Sequence, residues 1–273
     1  MPSPRRLALV PVFVAIAVPV LRAEEAPPQR VLVPVYTAAP VPGVNGSSWI
    51  TDFWMSNSGQ DITGAEWILW DCFLPECGNL PAPIHPGVSF RPRLQGEEGG
   101  LRGIVLYLGA AGADQLGMSL RFRDLSRQSS TAGTELPTPR DSAFRSTPFS
   151  LVDVPVTAGF RQTLRIYELD GTEREASVRV RTYRLDAAHR EPTDDPDELL
   201  GETVLPLRFA PAFAVPPFHP GYAEATDLSA LADLGDAERI RLEIEPASEG
   251  LRLWAFVTVI HNETQHATVI APQ

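Results

Sequence analysis

At 273 residues the chain has room for one large domain or two ordinary ones, and 44% hydrophobic, 21% charged and 8% aromatic residues are globular proportions. All 23 basic residues are Arg. With no Lys, a P-loop, a kinase, a pyridoxal or other Schiff-base enzyme and a Ser–Lys hydrolase are excluded, and a formal charge of −11 argues against a nucleic-acid partner.

In chain order, Arg5 and Arg6 precede a 15-residue apolar run, Leu7–Leu21, short of the roughly 20 residues a membrane span needs. Ala23 offers a small residue at a cleavage point before Glu24 and Glu25. Residues 1–23 therefore read as a signal peptide, and the mature chain as secreted or periplasmic and free of the membrane. Arg22 weakens the cleavage site, and an uncleaved anchor is the alternative. The first Cys, Cys72, is too far from the signal for a lipoprotein. Cleavage leaves 20 Arg against 34 acids.

Twenty-seven Pro and 20 Gly then punctuate short alternating segments. Strands are expected at Arg30–Tyr36, Trp49–Asn57, Ala65–Phe73, Gly87–Arg93, Leu101–Gly109 and Leu116–Asp124. The two Cys lie in CFLPEC, and beyond an export signal Cys72 and Cys77 read first as a disulfide, contributing about 2 kcal/mol less any strain. A redox or metal pair is the competing reading. A Pro-bearing stretch, Thr134–Val156, leads to strands at Arg161–Leu169, Ala176–Leu185, Glu202–Phe209, Arg239–Glu245, Leu251–Ile260 and Ala267–Ala271. The single helical phrase is Asp227–Leu234, with Asp227 as cap and Gly235 as stop. The fold class is all-β: two tandem β-sandwich domains, 30–140 and 148–273, with a Pro-rich connection and a short helical turn in the second.

The halves align as copies. Trp49 placed on Phe160 puts Phe53 on Leu164, Met55 on Ile166, Trp67 on Val178 and Leu69 on Val180 without gaps. Val33–Val35 echoes Val154–Val156, and Thr134–Pro137 echoes Val269–Pro272. In this alignment Ile50, Trp54, Ile68 and Trp70 fall on Arg161, Arg165, Arg179 and Arg181. Unpaired guanidinium is too costly to bury, so the four Arg mark a solvent face. Trp49, Phe53, Met55, Trp67 and Leu69 are then core, and Ile50, Trp54, Ile68 and Trp70 point outward as a candidate apolar contact face. Two alternatives stand: the face is covered by the second domain, the CFLPEC loop or a neighbouring subunit, or a crossing between sheets separates Trp54 from Trp70.

The phrases WITDFWMSNSGQ and FRQTLRIYELDG are similar to a "(W/F)-R-T-D-L-x-L-x-N-x-(S/G)" opening, and TDLSALADLG, IRLEI and LRLWAFVTVIHNETQHATVIAP to the end of the same unit. On these motifs the chain resembles secreted bacterial tandem β-sandwich repeat proteins of the immunoglobulin-like kind. The resemblance spans most of residues 31–273 and implies a fold and export, with no activity attached. His261 and His266 stand where that pattern usually shows Asp.

Searches for chemistry return little. There is no G-x-S-x-G elbow, H-E-x-x-H helix, EF-hand loop or Gly-rich dinucleotide turn. The acids of EPTDDPDE read as a solvated loop before a Ca²⁺ site, and His261, Glu263 and His266 lie in a turn rather than on a helix. Neither a cofactor nor a metal is called for. Three functions remain: a secreted, non-catalytic interaction or structural protein with a protein or polysaccharide partner; a carbohydrate-binding module using Trp54 and Trp70; and a hydrolase with carboxylates in an inter-domain cleft.

Overall fold

The computed structural model describes residues 29–37, 39–62, 65–69, 77–79, 83–92, 102–108, 113–169, 175–185, 196–209 and 221–272. The chain is all-β, every strand pairing being antiparallel and helix being confined, among the described residues, to three-residue 3-10 turns. The first half holds β1 (Gln29–Tyr36), β2 (Val41–Pro42), β3 (Ser48–Asn57), β4 (Ala65–Leu69), β5 (Cys77–Asn79), β6 (Ser89–Phe90), β7 (Arg102–Leu108), β8 (Leu116–Asp124) and β9 (Thr134–Leu136). The second holds β10 (Phe149–Pro155), β11 (Phe160–Glu168), β12 (Ser177–Leu185), β13 (Leu199–Pro206), β14 (Arg208–Phe209), β15 (Gly221–Ala225), β16 (Arg239–Pro246), β17 (Leu253–His261) and β18 (Ala267–Ile270).

Four sheets result, ordered β1-β7-β4-β5, β2-β3-β8-β9, β14-β15-β11-β17-β18 and β10-β16-β12-β13. The two halves share one strand order: β1, β7, β4 and β5 correspond to β10, β16, β12 and β13, and β3, β8 and β9 to β11, β17 and β18. Each opening strand also carries the same irregularity, three residues against two on its neighbour, between Val33 and Tyr36 in β1 and between Leu151 and Val154 in β10. The register places Leu136 opposite Leu120 and Ile270 opposite Val257. The closing echo therefore matches Leu136 to Ile270, one residue away from the sequence alignment.

Alternation survives where one face meets water. Along β3, Trp49, Phe53 and Met55 are buried while Trp54 is exposed, as the alignment expects. It is lost in β1 and β7, where Val31, Leu32, Val33, Val35 and Ile104–Leu108 are all buried, and in β17, buried from Leu253 to Val259. These strands have apolar material on both sides. Their second cover is mutual: Tyr167, Leu169, Tyr222, Trp254 and Phe256, on the outward side of β11, β15 and β17, join the first half's core. Tyr222, Tyr167 and Trp254 lie opposite one another in a single cross-strand row, and the Tyr167 hydroxyl donates to the Pro34 carbonyl on β1. The other side of the same strands, with Leu164, Ile166, Ala255 and Val257, packs on β10, β12 and β16 in a second core.

This corrects the expectation that all four aligned Arg face solvent. Arg179 and Arg181 do lie on an outer sheet. Arg165 is only 8% exposed, under the first half, and is tolerated there because Glu224 pairs with it at 3.1 Å. Burial works against the charge, yet Tyr167, Glu224 and Tyr222 hold its pKa above the ordinary value. Arg161 is half-buried, bonded to Asn262 and Gln265.

Other departures are local. The Pro-bearing stretch conceals β9 and the whole of β10, and β15 follows a Pro-rich segment with no strand expected. Asp227–Leu234 is one 3-10 turn, Leu228–Ala230, with Asp227 accepting from the Ser229 N–H at 2.9 Å as the cap.

Two predictions test this packing. Phe256→Ala, at a fully buried ring shared by the two halves, is expected to cost about 3–5 kcal/mol in urea unfolding. Asp124 ties the end of β8 to the start of β3. Burial would raise its pKa, but the Ser48 and Ser126 N–H groups, the Ser126 hydroxyl and Arg127 hold it below 3.8. Its stabilisation is therefore present above that value and lost as pH falls through the lower folded one. Asp124→Asn should lose about 1–3 kcal/mol near neutrality. That gap should hold down to about pH 4 and close at more acid pH.

Candidate functional site

The outward face of β3 carries Ile50, Asp52 and Trp54. Trp54 is 42% exposed, the only Trp among the exposed large apolar residues described. Asp52 lies 3.3 Å from Arg91 and 3.3 Å from Arg123, and the Arg91 guanidinium sits 4.6 Å over the Trp54 ring. The indole therefore already holds a cation on one of its faces, an arrangement worth about 0.5–1 kcal/mol at such a surface.

Of the other residues expected on this face, Ile68 belongs to β4, which pairs with β7 and β5 in a different sheet. The chain crosses between sheets after β3, so no hairpin brings Ile68 beside Trp54. The structure places Ile50 and Trp54 on one sheet and the backbone of Ile68 on another. Trp70 lies outside the described residues, as does Cys72. The Cys72–Cys77 disulfide therefore falls outside them too, though the backbone of Cys77 opens β5 opposite Ile68.

Many charged groups elsewhere are engaged in pairs. On the outer face of β12, Arg181 reaches Glu202 at 2.8 Å, Glu243 at 2.8 Å and Glu245 at 2.9 Å, and Arg179 reaches Glu245 at 3.1 Å. This cross-strand ladder follows directly from the register, which sets Arg179 opposite Glu245 and Arg181 opposite Glu243. Hydrogen bonds donated to Glu243 and Glu202 push the Arg181 pKa up. Of the described acids of the EPTDDPDE loop, Asp197 joins this network through Arg241 at 2.9 Å, and Glu198 pairs with Arg184 at 2.8 Å. The His261 Nδ1 accepts from the Glu263 and Thr264 N–H groups within its own turn. No group of three or more metal-binding side chains gathers among the described residues.

Between the halves, Asp141 accepts from the Arg30 N–H at 2.7 Å and its Nε at 2.9 Å, and Arg252 lies at 3.3 Å. Glu224 meets Arg165 and the Tyr222 hydroxyl, whose pKa burial pushes up.

One feature has no counterpart in the sequence reading. A cavity of about 880 Å³ opens along the side of the second half, between the edge strands β10 and β18. Val152, Phe160, Val259, Val269 and Ile270 supply apolar walls. Arg145 and the Asp153–Arg239 ion pair also line it. Only the pairing of distant segments brings these residues together, so spacing along the chain carries no signal of the cavity.

Trp54→Ala is expected to lower the acrylamide quenching of tryptophan fluorescence, because Trp49 and Trp254 are 4% exposed, while changing stability by less than about 0.5 kcal/mol. An unchanged quenching slope would show that Trp54 is covered in solution. No family model matches the chain, and neither does any curated protein or solved structure.

Proposed function

We propose that the chain is a secreted or periplasmic, non-catalytic interaction or structural protein, made of two immunoglobulin-like β-sandwiches in tandem. The observation that supports this reading is the filling of the space between the halves. A hydrolase working there needs carboxylates converging on an open cleft. Aromatic rings fill that space instead, and two carboxylates there, Asp141 and Glu224, are each bonded to guanidinium. A pair of sandwiches tied together in this way serves as a rigid display for its outer surfaces.

The carbohydrate-module reading keeps one specific support, the outward indole of Trp54. Against it, Arg91 already occupies one face of that indole.

Two measurements test the proposal. Expressed in full in a bacterial host, the protein should be recovered from the periplasm or medium with Glu24 as its N-terminus. A chain retained in the membrane fraction from Met1 overturns the export reading. On a polysaccharide array, wild-type and Trp54→Ala proteins should behave alike. Retention that the substitution abolishes would replace the proposal with the carbohydrate module.

A further inference from the structure

The shared strand order allows the same seam to be compared in both halves. In the first half it lies between the edges of β1 and β9, and the chain itself closes it. After β9, residues 137–144 turn across to β1. The Leu32 N–H donates to the Pro139 carbonyl at 2.8 Å, and Val31 and Arg140 form an antiparallel bridge. Pro139 is buried, Asp141 grips Arg30, and Phe144 enters the core at 5% exposure. The segment is an added strand with an acidic anchor and an aromatic plug.

In the second half the corresponding seam, between β10 and β18, is the 880 Å³ cavity. Matching the two irregularities places Ser150 where Leu32 stands, one ahead of the last regular pair before the break, and sets Val33 on Leu151 rather than on Val154. Ser150 lines the cavity, and by this correspondence its N–H holds the place of the donor that the first half fills. The walls are also cut back. The first half carries Trp49 stacked on Phe122 at 4.4 Å, whereas the second carries Phe160 and Val259 at the matched positions, with Phe160 turned edge-on toward His261. Val152 stands 51% exposed beside the gap.

We propose that the seam between β10 and β18 is a strand-addition site for an extended segment of a partner polypeptide, lying antiparallel to β10. Main-chain hydrogen bonds to an edge strand supply affinity, and pockets for alternate side chains supply selection. The segment that closes the first seam defines the ligand chemistry: a Pro-bearing extended stretch, an acidic residue, and a bulky apolar residue three positions later. Arg145 and Arg239, the latter already paired with Asp153, put guanidinium in the lining, and the space left by the smaller Phe160 and Val259 suits the apolar residue. The inference deepens the interaction-protein reading, and its test is independent of export and of Trp54.

The probe is a fluorescein-labelled peptide with the sequence of residues 136–145, LPTPRDSAFR, titrated into the full chain and followed by fluorescence polarisation. The intramolecular copy of that segment keeps the first seam closed at high effective concentration, so the free peptide reads the second. Saturable binding is expected. It should weaken at least tenfold in Val152→Glu, which puts a carboxylate into the apolar wall, and in Ser150→Pro, which removes the edge N–H. Peptide binding should also slow hydrogen exchange at Phe149–Val152 in the wild-type protein, a readout that stands even if the Pro variant does not fold. Absence of saturable binding overturns the proposal. So does binding that leaves exchange in β10 unchanged, which would mark the cavity as a small-ligand pocket without strand addition. Binding that survives Val152→Glu in a folded protein places the peptide elsewhere and overturns it as well.

Discussion

A sheet with apolar packing on both faces leaves no solvent side for a charge, and most of the molecule follows from that constraint acting on β1, β7, β11 and β17. It makes β1, β7 and β17 near-continuous apolar runs. It makes Tyr222, Tyr167 and Trp254 line up in one row, each polar tip needing a partner within reach. Arg165 is admitted only together with Glu224, since a buried guanidinium left alone would cost several kcal/mol. Asp141, on the connection, ties Arg30 of the first half to Arg252 of the second. The two halves are joined less by the length of their linker than by a common interior.

The residues that face water were the most legible in the sequence. WITDFWMSN and RIRLEIEP alternate because one side of each strand is wet, and the expected core positions Trp49, Phe53 and Met55 are buried. The inner strands carried an equally physical signal of another kind. VLVPV, GIVLYL and LWAFVTVI do not alternate at all, which is the pattern of a strand covered on both sides. Treating four aligned Arg as one solvent face overlooked that pattern. Arg179 and Arg181 sit in strands that alternate, whereas Arg165 precedes Ile166-Tyr167, both buried.

The elements that escaped the sequence reading share a cause. β10 and β15 sit beside proline-rich chain, and proline density outweighed Phe149, Leu151 and Val154 as a strand signal. The Trp54 surface was accessible through comparison of the halves, but the role of β4 was not, because a gapless alignment says nothing of which sheet a strand joins, and the registers shift β4 by two residues, setting Trp67 rather than Leu69 on Val180. The open seam was beyond reach for the same reason. It depends on β10 and β18 both being edges, and on a difference in side-chain size between Trp49–Phe122 and Phe160–Val259 that matters only once those residues are known to flank one gap.

The irregularity in β10 bears on what an unclosed seam costs. A free sheet edge is a template on which copies of a protein can polymerise, and long flat edges are the hazardous ones. Here the regular ladder between β10 and β16 breaks after Leu151, and Asp153 takes a φ of 69° at the break. Such a bulge bends and twists its strand. A regular strand laid along this edge would therefore lose register after the first few residues, whereas a short segment that stops there would not. The bulge separates capture of a peptide from growth of a sheet, so the protein can expose an unpaired edge without offering a start to a fibril.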